Sequence, residues 1–91
     1  MALIRTGGNG AAAVYQITEI SGTTTAQTIS CSAGDIIYIT TNDNRSTFTG
    51  LTLKSKETVD YNEASIFEAT GSTFTVTPYN SSTAVFIFKP V

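Results

Sequence analysis

The side chains of this 91-residue chain that could carry chemistry are few, and the missing types decide most of the question. There is no histidine and no tryptophan. Without histidine neither a Ser-His-Asp nor a Cys-His nucleophile can be assembled, and the commonest metal ligand is gone. No Ser-x-x-Lys spacing supplies a substitute base. The single Cys31 lies in Ser30-Cys31-Ser32 and shares strand parity with Ile29, which marks a small core residue rather than a nucleophile. Asp60 and Glu63 are of the type that glycosidases use as acid and base, yet acids in a weakly charged chain serve first as solubilising charge. Asn42-Asp43-Asn44 offers oxygens to calcium, but no spaced glutamate completes the loop and such a triplet between strands makes a turn. Gly7-Gly8-Asn9-Gly10 lacks the Lys-Ser/Thr of a phosphate loop. No catalytic residue, cofactor site or metal ligand is assigned, and the chain is expected not to be an enzyme. Stacking remains: among four tyrosines, Tyr61 and Tyr79 fall in loops and are the candidate ligand-binding residues of a carbohydrate-binding or adhesive module.

The elements that must position these residues are strands. Alternation of period two, punctuated by turn residues every eight to twelve positions, predicts an all-β chain. The expected strands are Ala12–Ile20, Ala26–Cys31, Ile36–Thr41, Thr47–Lys54, Ala64–Ala69, Ser72–Thr77 and Thr83–Lys89, with a bulge at Gly50. Ala2–Arg5 would add an eighth through an Asn9-Gly10 turn, unless residues 1–13 form an arm instead of a first hairpin. Lys56–Glu63, carrying Glu57, Asp60 and Glu63, is the least strand-like stretch and predicts a loop with one helical turn. The fold expected is a single domain over residues 1–91: an antiparallel β-sandwich of seven to eight short strands, jelly-roll-like.

Charge narrows the partners. Five Lys/Arg against seven Asp/Glu leave a formal charge of −2, and charged residues make up 13% of the chain where roughly 25% is usual. That excludes the basic footprint of a nucleic-acid binder. No apolar run approaches the roughly 18 residues needed to span a bilayer, and Arg5 interrupts Ala2-Leu3-Ile4 too early for a signal peptide, so synthesis in a cytoplasm is expected. Hydroxyls take the place of charge: 17 Thr and 9 Ser. In Ser72–Thr77, Phe74 and Val76 point one way and Thr73, Thr75 and Thr77 the other, a solvated face. An ice- or sugar-binding ladder would need a Thr-x-Thr array on several strands, and it is clear only in this one.

Two stretches break the alternation that a half-buried strand requires. In Ile36-Ile37-Tyr38-Ile39 and Val85-Phe86-Ile87-Phe88 both faces are apolar. Something must cover the second face: the N-terminal segment, the acidic loop, or another copy of the chain. The expected interface residues are Ile36, Tyr38, Phe86 and Phe88, with Leu3 and Ile4 from the N-terminal segment, and the expected partner is the chain itself in a closed homo-oligomer, a trimer among the forms considered.

The stretch Thr28–Ile39, a short strand, an Ala-Gly-Asp turn and an apolar strand, is similar to a hairpin of viral and jelly-roll domains, and Val85–Phe88 resembles the closing strand of trimeric tumour-necrosis-factor-like jelly rolls. With its low charge and Thr/Ser/Asn richness the chain resembles small bacteriophage virion proteins of the capsid-decoration and tail- or head-fibre kind. That resemblance implies a virion location, other virion proteins as partners, and a non-enzymatic role in binding and stabilising a capsid or tail lattice.

Overall fold

A computed structural model of the protein describes residues 13–89. The expected strand Ala2–Arg5, the Asn9-Gly10 turn, Leu3 and Ile4 lie outside the described residues. Eight strands follow one another: β1 Ala13–Ile20, β2 Gln27–Ser30, β3 Ile36–Thr41, β4 Thr47–Thr49, β5 Leu51–Val59, β6 Asn62–Ala69, β7 Thr73–Thr77 and β8 Thr83–Lys89. They form two antiparallel sheets, a five-stranded one in the order β1-β8-β3-β6-β5 and a three-stranded one in the order β2-β7-β4. Pairing is nested, first with last, second with seventh, third with sixth, which is the wrap of a jelly roll.

The fold class is as the alternation predicts, and the inward residues show why. Ile37, Ile39, Phe67, Val85 and Ile87 of the large sheet meet Ile29, Phe74 and Val76 of the small one in one buried cluster. Phe48 of β4 reaches across to Phe67 with ring centroids 5.4 Å apart, edge to face. Burying side chains of this size contributes about 1.5–3 kcal/mol each before entropy is charged against it.

Two expectations are corrected. Thr47–Lys54 is not one bulged strand: Gly50, at φ 82°, turns the chain from the small sheet to the large one, where a Cβ would stand 3.2 Å from the Thr73 carbonyl oxygen. A glycine is needed because only it adopts this φ freely beside another backbone. Lys56–Glu63 is not a loop with a helical turn. It is the end of β5, a two-residue turn at Asp60-Tyr61 with Asp60 at φ 56°, and the start of β6. The exposed β5 is an edge strand, and its Lys54, Lys56 and the register shift between Leu53 and Ser55 keep that edge from pairing further.

The register gathers the β1–β2, β3–β4, β5–β6 and β7–β8 connections at one end of the sandwich, because Ile20, Thr41, Glu63 and Thr83 align. A knot of buried hydroxyls holds that end. Thr41 Oγ1 accepts from Thr83 Oγ1 at 3.1 Å and lies 3.2 Å from Ser81 Oγ and 3.3 Å from Ser46 Oγ, which itself accepts from the Tyr79 N–H. At the opposite end the buried Asp35 carboxylate accepts from the Ser32 N–H and from Lys89 Nζ, both at 2.9 Å.

Candidate functional site

Three surfaces come from this arrangement, and the first is the outer face of the five-stranded sheet. Directly paired residues share a face, so the registers place Ile17, Phe86, Tyr38, Ile66 and Ser55 in one row across all five strands. Ile17 is 58% exposed, and Tyr38, Ile66 and Phe86 are half-buried, the Tyr38 and Phe86 rings 5.7 Å apart. Towards the loop end the next row is Glu19, Ala84, Thr40, Ala64 and Glu57, whose small central residues floor a shallow groove of about 490 Å³. On the other side Ile36 and Phe88 pair, followed by Glu68 with Lys54 at 3.4 Å. Of the expected interface residues, Ile36, Tyr38, Phe86 and Phe88 therefore do share one face. Phe88 is already 1% exposed, so it is filled in the monomer, while the other three remain open. The acidic stretch proposed as a cover is itself two strands of this sheet and cannot lie over it.

The second surface is the outer face of the three-stranded sheet. Thr28, Thr75 and Thr49 form one row, Ser30 and Thr73 a second, Thr47 and Thr77 a third. All seven outward positions carry hydroxyls, so the array seen in one strand of the sequence extends over three. It bears no aromatic or charged side chain, and water access to its hydroxyls accounts for it as a solvated face.

The third lies at the loop end. Asp43 turns the β3–β4 connection by accepting the Arg45 N–H on Oδ1, and it also binds the Arg45 side chain twice, Nε to Oδ1 at 2.9 Å and Nη2 to Oδ2 at 2.7 Å. The Arg45 guanidinium lies 4.0 Å over the Tyr79 ring. This clamp holds the Asp43 carboxyl below the ordinary carboxylate range and raises Arg45, to which the Tyr79 and Tyr61 phenols add. Tyr61 and Tyr79 are 65% and 47% exposed, so both expected ligand residues reach solvent at the same end. Arg45 was not visible as a site residue in the sequence, because nothing in Asn-Asp-Asn-Arg announces a tyrosine 34 residues on.

The remaining chemistry is distributed. Cys31 is half-buried against the core and its Sγ donates to the Gly71 carbonyl at 3.2 Å; burial pushes its thiol up, helped by the Asp35 carboxylate, away from a thiolate. Glu63 points inward to Thr58 and Lys56 while Asp60 sits in an exposed turn. Among the described residues no group of three acids or cysteines could hold a metal ion, and no helix is long and apolar enough to cross a membrane. No protein-family model matches the chain, and no curated protein or solved structure is significantly similar to it.

Proposed function

We propose that the protein is a non-enzymatic structural subunit of a virus particle that pairs with a second copy of itself across the outer face of its five-stranded sheet, and through such contacts binds and stabilises a capsid or tail lattice. The observation that carries the reading is the apolar row Ile17-Phe86-Tyr38-Ile66, continuous over four strands of an outer face that ought to be polar. The virus particle enters through the resemblance of Thr28–Ile39 and Val85–Phe88 to jelly-roll virion domains.

Size and charge favour a second copy as the occupant. Five strands about 4.8 Å apart and eight residues long at about 3.3 Å give a face of roughly 600 Å² before side-chain relief. That approaches the roughly 800 Å² per partner of a specific interface. A two-fold axis along the central row sets each of its residues opposite its own copy. It also turns Glu57, which has no ion-pair partner among the described residues, towards the Lys54 of the other copy, and brings Ile36 over the groove floored by Thr40, Ala64 and Ala84. Cross-linking tests this: Ser55→Cys, at the end of the central row, is expected to yield a covalent dimer with a short bismaleimide. A Thr52→Cys variant, off the axis, is expected to cross-link less. Equal yields from both would contradict face-to-face pairing.

A further inference from the structure

We propose that the loop end of the sandwich is a binding site for a neutral saccharide, in which Arg45 and Asp43 read a pair of vicinal hydroxyls and Tyr61 covers the C–H face of the sugar ring. This goes beyond assembly and uses a surface at the end of the sheets, apart from the proposed dimer row.

The guanidinium is prepared for a ligand. Two of its five N–H groups are spent on Asp43, and the Tyr79 ring lies beneath it, so the plane is fixed on one face and along one edge. Three N–H donors remain on a side chain that is 56% exposed. Asp43, whose two oxygens take three bonds from Arg45, keeps one lone-pair position, on Oδ2, for a hydroxyl donor, on a side chain that is 14% exposed. Donors and acceptors side by side at a rigid edge match adjacent sugar hydroxyls, which both give and accept. Preorganisation of this kind lowers the entropy cost of binding.

Tyr79 and Tyr61 have different parts. Because Arg45 occupies a face of Tyr79, that ring positions the guanidinium, and Tyr61 is the open platform. Asp60 at φ 56° and Asn80 at φ 51° take the left-handed turn conformation that Asp and Asn adopt readily, and so form the two turns that carry Tyr61 and Tyr79 to solvent.

Charge selects the ligand class. Arg45 is neutralised by Asp43, Asp60 adjoins Tyr61, and the chain carries a net −2, so an acidic sugar would approach a surface with no spare positive charge.

The test is a glycan array with the wild-type chain, followed by titration of the best-bound neutral glycan with wild type, Arg45→Gln and Tyr61→Ala. Both positions are exposed, so circular dichroism should show both variants folded. Specific binding to neutral glycans that falls at least tenfold in each variant is expected. Binding that survives in both variants, binding confined to acidic glycans, or no binding at all would overturn the proposal.

Discussion

Replacing Thr41 by valine keeps the shape of the side chain and removes one oxygen, and that oxygen is the hub of the buried hydroxyl knot. Thr41 Oγ1 accepts from Thr83 Oγ1 at 3.1 Å and from the Asp43 N–H at 3.3 Å, and its own hydrogen is shared among Asp43 O, Ser46 and Ser81. Ser46 and Ser81 retain each other at 3.3 Å and Ser46 retains Tyr79 N–H, so they are not orphaned. Thr83, 3% exposed, loses the one partner of its hydroxyl among the described residues. Two lost bonds at about 1 kcal/mol each, with a buried unsatisfied hydroxyl at about 1–3, give roughly 3–5 kcal/mol. Against the 5–15 kcal/mol of a typical domain this is a large fraction. For a chain of this length it corresponds to a fall in Tm of more than about 10 °C. Urea unfolding followed by tyrosine fluorescence and circular dichroism reads it directly, with the m-value unchanged. A loss below about 0.5 kcal/mol would show that apolar packing alone, and not this knot, fastens the β3–β4 and β7–β8 loops together.

The opposite sign is expected at Ser65, whose buried Oγ has no hydrogen-bond partner among the described residues: Ser65→Ala should leave stability unchanged or raise it by about 1 kcal/mol in the same assay. Gly50→Ala, at φ 82° and 3.2 Å from the Thr73 carbonyl, should cost about 1–2 kcal/mol, whereas Gly71→Ala, with open space around it, should cost less. The Asp43 carboxyl, held below its ordinary range by Arg45, contributes stability that is present above its unfolded-state value and is lost as pH falls through the lower folded value. An NMR titration should place its midpoint below the ordinary carboxylate range, and Arg45→Gln should raise it.

The strands easiest to read in the sequence are those apolar on both faces. Ile36–Thr41 and Thr83–Lys89 have the bounds that the sequence predicts, because a run of Ile, Val and Phe admits no other element in so few residues. β5 was hidden for the converse reason. An edge strand exposed along nearly its whole length wears Thr, Lys, Ser and Glu, the composition of a loop, and only its pairing with β6 makes it a strand. Gly50 is a corner rather than a bulge because the two halves of Thr47–Lys54 pair with partners in different sheets, a long-range fact with no local mark. The threonine array was invisible likewise, since Thr28, Thr49 and Thr75 meet only through register. The apolar face was legible residue by residue in the double-sided strands; the contributions of Ile17 and Ile66 were not, as each sits in an alternating strand that looks ordinary alone. Tyr61 and Tyr79 could be named from their loops, but Arg45 becomes notable only where the fold lays it on Tyr79.

Pairing through the outer face of the five-stranded sheet can be read from sedimentation equilibrium of the wild type beside Tyr38→Lys. Tyr38 is half-buried in the middle of the apolar row, so a lysine there can direct its charge to water in a monomer but not in a face-to-face dimer. The wild type is expected to associate with rising concentration, and Tyr38→Lys to stay folded and monomeric at every concentration. A wild type that stays monomeric to millimolar concentration, or a lysine variant that associates as the wild type does, would contradict it.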